Sequence, residues 1–147
     1  MIYADCGLVI EPNESELVDI TMAASQTCKA LLKSDPRVAL LSFSTKGSAN
    51  HRNIEKTVGA LKKLKALLPD LLIDGELQFD AAIDSVVGSK KAPASKVAGN
   101  ANVMIFPNLD AGNIAYKITQ RLGEAEAYGP ILQGCLLYTS PSPRDRS

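Results

Sequence analysis

Apolar residues in this chain keep two different rhythms, and the way those rhythms alternate restricts the fold more than any other feature. Val38, Ala39, Leu40 and Leu41 form an uninterrupted apolar run inside residues 37–44, the pattern of a strand buried on both faces. The flanking segments repeat at three and four residues: Leu17, Ile20, Ala24, Cys28 and Leu31 before it, Ile54, Val58, Leu61, Leu64 and Leu68 after it. That spacing makes one apolar helical face on each side. A strand with two buried faces needs helices above and below its sheet, and a helix–strand–helix order with short connections supplies them.

The rest of the chain continues the alternation. Residues 2–10 are mostly apolar and read as a strand, punctuated by Glu11, Pro12 and Asn13. Asn13 followed three residues later by Glu16 predicts a capping box opening a helix over about 14–32, which Ser34, Asp35 and Pro36 end. In the second helix Lys56, Lys62, Lys63 and Lys65 fall largely on the wet side, and Pro69 with Asp70 closes it. A strand over 71–73 is expected to stop at the Asp74-Gly75 turn signal, and a short helix to span 80–87, with residues 88–95 as a loop. Residues 102–106 predict a strand halted by Pro107. Asp110 then caps a helix running to Arg121 or Leu122, with Ile114, Ile118 and Leu122 as its core stripe, and residues 128–132 read as a last short strand. Together these predict an α/β fold, a layered three-layer αβα arrangement with a mostly parallel sheet, in which ligands gather at the carboxyl ends of the strands.

Composition narrows the function classes. With 147 residues, 46% apolar and 22% charged, the chain matches one globular domain with a real core. No apolar run approaches the ~20 residues that cross a bilayer, and the N-terminal residues lack a basic-then-apolar leader, so a cytoplasmic protein with no membrane partner is expected. The formal net charge is zero, and Lys62, Lys63, Lys65 and Lys90, Lys91 form the dense basic clusters, with few aromatics nearby; nothing favours nucleic acid. Cys6, Cys28 and Cys135 are far apart and odd in number, which favours neither a zinc site nor a disulfide framework. No metal or other cofactor is expected.

After Gln133 and Gly134 the character changes. Residues 135–147, from Cys135 through Pro141, Pro143 and Arg146 to Ser147, keep neither helical nor strand period. This stretch resembles the translation of a transposase adapter used in preparing sequencing libraries, so it is expected to be a non-native, disordered tail outside the fold.

Seven ordered blocks carry a resemblance to the phosphate acetyl/butyryltransferase family. They are Ala4-Asp5-Cys6; Pro36 to Ser42; Ser44-Thr45 with Gly47-Ser48; Asp74-Gly75-Glu76-Leu77-Gln78-Phe79-Asp80; Lys91-Ala92-Pro93 with Ser95, Val97 and Gly99; Asn102 to Pro107; and Gly112-Asn113-Ile114-Ala115-Tyr116-Lys117. Gly129-Pro130-Ile131-Leu132-Gln133-Gly134 extends the match to residue 134. The resemblance implies that residues 1–134 are a partial domain, mainly the second α/β subdomain of a two-domain enzyme. It further implies transfer of an acetyl group between acetyl-CoA and inorganic phosphate, giving acetyl phosphate and CoA with neither a metal nor a covalent acyl-enzyme. Catalysis of that kind rests on aligning two anionic substrates and stabilising an oxyanion and a departing thiolate. In such enzymes the cleft lies between two domains, and a Ser-Arg pair follows shortly after the Gln-Gly that here precedes the tail. With that pair and the first domain missing, and Met1 falling at the middle of a complete enzyme, little or no activity is expected of the isolated chain. A full-length parent is expected to be a homodimer. A phosphate butyryltransferase is the close alternative, because one methylene is worth only ~1–3 kcal/mol in a pocket. A non-catalytic acetyl-CoA-sensing or oligomerisation domain of a malic enzyme is the distant one.

Candidate substrate-binding residues follow. Lys117 and Arg121 lie four apart on one helix face, where like charges repel unless an anion bridges them or both face water near the helix C-terminus; the family match around Tyr116-Lys117 and Gln120-Arg121 supports the anion and leaves both readings open. Ser44, Thr45 and Ser48 follow a buried strand and precede a helix, where hydroxyls and free N–H groups suit a phosphate, although the Walker order is lacking. Gln133 borders the segment where the family places its chemistry. Asp74 and Asp80 are read as a turn residue and a helix cap rather than an acid/base pair with Glu76, and His51 as a surface loop residue.

Overall fold

The computed structural model describes residues 1–129 and 131. Four parallel strands form one sheet: β1 (Ile2–Ala4), β2 (Arg37–Leu41), β3 (Leu72–Leu77) and β4 (Val103–Ile105), in the order β1-β4-β2-β3. The helices are α1 (Glu14–Leu32), α2 (Arg52–Leu67), α3 (Phe79–Ile83), α4 (Ser85–Lys91) and α5 (Leu109–Leu122). Period-two alternation divides each inner strand between two cores. Val38, Leu40, Val103 and Ile105 join Leu17, Ala24 and Cys28 of α1 and Leu61 and Leu64 of α2 on one face. On the other, Ala39, Leu41 and Met104 meet Ala82 of α3, with Ala92, Val97 and Phe106, against Ala111 and Ala115 of α5. The result is the three-layer α/β arrangement that the sequence predicts.

Element ends follow local chemistry. Asn13 caps α1 as expected: Glu16 N donates to Asn13 Oδ1 at 2.8 Å and Asn13 N to Glu16 Oε1 at 3.2 Å. His51 is exposed, as predicted, and in addition it caps α2, its Nδ1 accepting from Asn53 N at 3.1 Å. The first strand is shorter than the expected 2–10. It stops at Ala4 because the Asp5 carboxylate takes N–H bonds from Gly7, Leu8 and Val9, a local bonding pattern that replaces the ladder.

Three further expectations are corrected. The third strand runs through Asp74 and Gly75 to Leu77 instead of turning there. Gly75 serves close approach, since a Cβ at this position would lie 2.8 Å from that of Leu40 on the neighbouring strand. The single helix over 80–87 is two helices, broken at Asp84, whose carboxylate accepts from Val86 N and Val87 N and restarts the chain as α4, so Lys90 and Lys91 are helical. Asn108, not Asp110, caps α5.

The stripe Ile114, Ile118 and Leu122 is not core: these side chains are 57%, 52% and 81% exposed. The helix instead lays its small residues Ala111, Gly112 and Ala115 inward, and a Cβ at Gly112 would overlap the carbonyl oxygen of Asp5. Close approach of backbone to backbone selects the small-residue face over the bulky one, roughly a fifth of a turn away.

Candidate functional site

The loop from Ser42 to Asn50 leaves the carboxyl end of β2, and every backbone N–H from Ser44 to Ala49 already has a protein acceptor. Ser44 N donates to Ser42 Oγ, Thr45 N to Ser48 Oγ, and Ala49 N to Ser44 Oγ. Lys46 N donates to Glu76 O, Gly47 N to Glu76 Oε2, and Ser48 N to Thr45 O. The hydroxyls of Ser44, Thr45 and Ser48 therefore build the loop, and Ser44 and Thr45 are buried. In this conformation the loop does not offer the free N–H cradle that its sequence suggests.

It is pinned to β3 and the start of α3. Thr45 Oγ1 donates to Gln78 Oε1 at 3.1 Å while Gln78 N donates back to Thr45 Oγ1 at 2.9 Å, and Lys91 Nζ reaches the same Gln78 oxygen at 3.0 Å. Lys46, in the left-handed region at φ 50°, sends Nζ to the Asp74 carboxylate and to Gly75 O. Burial would raise the Asp74 pKa. Hydrogen bonds from Lys46, Ser95 and Gly75, with the Lys46 charge, outweigh it and hold the carboxyl below its ordinary value. Asp74 is thus a buried ion-pair anchor, not a turn residue. Asp80 does not cap; it lies in the first turn of α3 and pairs with Lys91, which holds its carboxyl below the usual range. Glu76 is buried with Gly47 N against it.

Tyr116, Lys117 and Arg121 all lie on α5. Lys117 Nζ stands 5.9 Å from the centre of the Tyr116 ring, and both cations are exposed. This helix packs on β1, whereas the Ser44–Ser48 hydroxyls are tied to residues after β3, at the opposite edge of the sheet. No direct contact joins the two groups among the described residues, although Phe79, next to Gln78, stands edge-on to Tyr3 at 6.4 Å and the Tyr3 hydroxyl lies 3.2 Å from that of Thr119 on α5. Gln133 and the boundary at 134 lie outside the described residues, as does the tail.

Between the two groups lies a feature that sequence reasoning missed. The chain leaves β2 toward β3 on one side, and leaves β4 for α5, which packs on β1, on the other. The carboxyl ends of β2 and β4 therefore flank a topological switch point, the usual ligand crevice of an open α/β sheet. A cleft of about 90 Å³ occupies it, lined by Ser42, Phe43, Asn53, Lys56 and Asn108. Lys56, expected on the wet side, is drawn inward: Nζ donates to Pro107 O at 2.7 Å, Pro12 O at 3.1 Å and Glu11 Oε2 at 3.4 Å. The signal was its position in the first turns of a helix after a strand, because helical side chains lean toward the helix N-terminus and so toward the strand ends. Phe43 stands 58% exposed near the mouth, edge-on to His51 at 6.3 Å. Among the described residues, the lining holds the Ser42 hydroxyl but no cysteine and no histidine beside it to act as a base. The Cys6 thiol, on the other edge, is pushed up to about 12 by burial and by the Asp5 charge, and no described His, Cys, Asp or Glu cluster is arranged to hold a metal.

Comparison with known proteins settles the ancestry of this fold. The family model for phosphate acetyl/butaryl transferase matches residues 1–137. The chain belongs to that family. Among members of the phosphate acetyl/butaryl transferase family, the phosphate acetyltransferase of Paracoccus denitrificans is 52% identical over 134 residues, 91% of this chain and 42% of the relative. A phosphotransacetylase of Streptococcus pyogenes superposes with a TM-score of 0.88 at 46% identity, over 97% of this chain and 44% of its own. A branched-chain phosphotransacylase of Enterococcus faecalis gives 0.65 at 28% identity, over 83% and 45%. The chain thus spans about two fifths of the length of the relatives it matches.

Proposed function

We propose that this chain is part of a phosphate acetyltransferase, moving an acetyl group between acetyl-CoA and inorganic phosphate. The observation that carries the reading is the level of identity to enzymes of that name, 52% across nine tenths of the chain. It is supported by the closer match to an acetyl-transferring structure than to a branched-chain one, 46% against 28% identity. In the forward step a phosphate oxygen forms a bond to the thioester carbonyl carbon. The carbon–sulfur bond then breaks, and the thiolate leaves to take a proton. No metal or acyl-enzyme enters this scheme. The residues of this chain would contribute one wall of a cleft: the β2–α2 loop with Ser44, Thr45 and Ser48 as a rigid shelf, and Lys117 and Arg121 with Tyr116 as an outlying cationic patch for an anionic substrate.

The domain reading, residues 1–134 as part of the enzyme and 135–147 as a non-native tail, belongs to the same proposal. So do a cytoplasmic site of action and a role in acetate metabolism. Among the described residues no helix is long and apolar enough to cross a membrane. A homodimer in the complete protein is supported by the exposed stripe Ile114, Ile118 and Leu122, an apolar surface of the kind subunit contacts cover. The isolated 147-residue chain is expected to show no turnover when assayed for acetyl-CoA formation from acetyl phosphate and CoA. Robust turnover would show that the remaining three fifths of the relatives' length is dispensable.

A further inference from the structure

The crevice between β2 and β4 carries an assignment of its own. Its polar lining holds four side chains that can donate, Ser42, Asn53, Lys56 and Asn108, and one carboxylate, Glu11. The Ser42 hydroxyl accepts from Ser44 N but has no described acceptor for its own hydrogen. The Asn53 side-chain amide has no described protein partner, and Asn108 uses only its oxygen, accepting from Ala111 N at 2.9 Å. Lys56 spends two of its three ammonium donors on Pro12 O and Pro107 O, bonds that fix its position at the strand ends. The third goes to Glu11 at 3.4 Å, a carboxylate whose side chain is 70% exposed. So long and exposed an ion pair contributes little, and Glu11 can swing into water at small cost. What remains is a fixed cation with a hydroxyl and two amides around a cleft of about 90 Å³, room for about three waters at ~30 Å³ each. The α2 and α5 N-termini flank it and add partial positive charge.

We infer that this crevice binds a phosphate group, with Lys56, Asn53, Asn108 and Ser42 as its donors and Glu11 as the group that the phosphate displaces. That the anion is a phosphate rests on the acetyltransferase reading; the donor set does not. Inorganic phosphate and a phosphate of coenzyme A share this chemistry, and the test separates them. The uniformly ¹⁵N-labelled 147-residue chain is titrated with inorganic phosphate, with coenzyme A, and with chloride at matched ionic strength, following backbone and side-chain amides. Saturable shifts at Ser42, Asn53 and Asn108 with inorganic phosphate identify the free anion, and the same shifts with coenzyme A alone identify the carried one. Glu11→Gln tightens binding by about two- to fivefold, and Lys56→Met abolishes it. Because Lys56 also ties three chain segments together, Glu11→Gln keeps the test meaningful if Lys56→Met fails to fold. Shifts that chloride reproduces, shifts absent from these residues, or Glu11→Gln leaving affinity unchanged or weaker would overturn the assignment. That outcome would leave acetyl transfer by a complete enzyme untouched, since transfer is measured separately.

Discussion

Asp74 shows how a residue reads one way in sequence and acts another way in the fold. Asp-Gly is a turn signal only where the side chain must satisfy its own backbone; here Lys46 arrives from a loop 28 positions away and takes the carboxylate into the sheet. Nothing local encodes that contact. Because the folded pKa lies below the ordinary 3.8, its stabilisation is fully present above that value and is lost as pH falls through the folded value. Asp74→Asn should therefore cost about 2 kcal/mol at neutral pH. In urea unfolding the deficit should shrink below about pH 4; a deficit that stays constant down to pH 2 would contradict the ion pair. Gly112 was legible only as part of a family block, yet its lack of a side chain is what seats α5. Gly112→Ala should destabilise by about 1–3 kcal/mol, read as a fall in the unfolding midpoint.

At the scale of the element, legibility depended on whether the deciding contacts were local. The capping box of α1 lies within four residues and was read correctly from spacing, so Asn13→Ala should cost about 1 kcal/mol in thermal unfolding. The inner strands were equally plain, because burial on both faces writes itself as a continuous apolar run. The α5 stripe was not, since periodicity reports that a face is apolar without reporting what covers it. Ile118→Glu should accordingly leave the unfolding of the isolated chain within about 0.5 kcal/mol of the parent. Leu64→Ala, in the core of α2, should cost about 2–5 kcal/mol. A large loss from Ile118→Glu would place that side chain in a core. Of the candidate site, the β2–α2 loop was found from its place between strand and helix. The Lys56 crevice was not, because it depends on strand order, which the alternation of elements leaves open.

For the whole molecule, the sheet order β1-β4-β2-β3 separates the Ser44–Ser48 loop from the Tyr116–Arg121 patch and leaves the switch-point crevice between them. Under the proposed function such a surface would form one wall of a cleft for two anionic substrates, and the chain spans about two fifths of the relatives' length. The most direct measurement is made on a hybrid in which residues 1–134 replace the matched 134 residues of the Paracoccus denitrificans phosphate acetyltransferase. Acetyl-CoA formation from acetyl phosphate should remain within about tenfold of the unmodified enzyme, a change of about 1.4 kcal/mol in the barrier. A hybrid that folds and binds CoA yet forms no acetyl-CoA would contradict the proposed function.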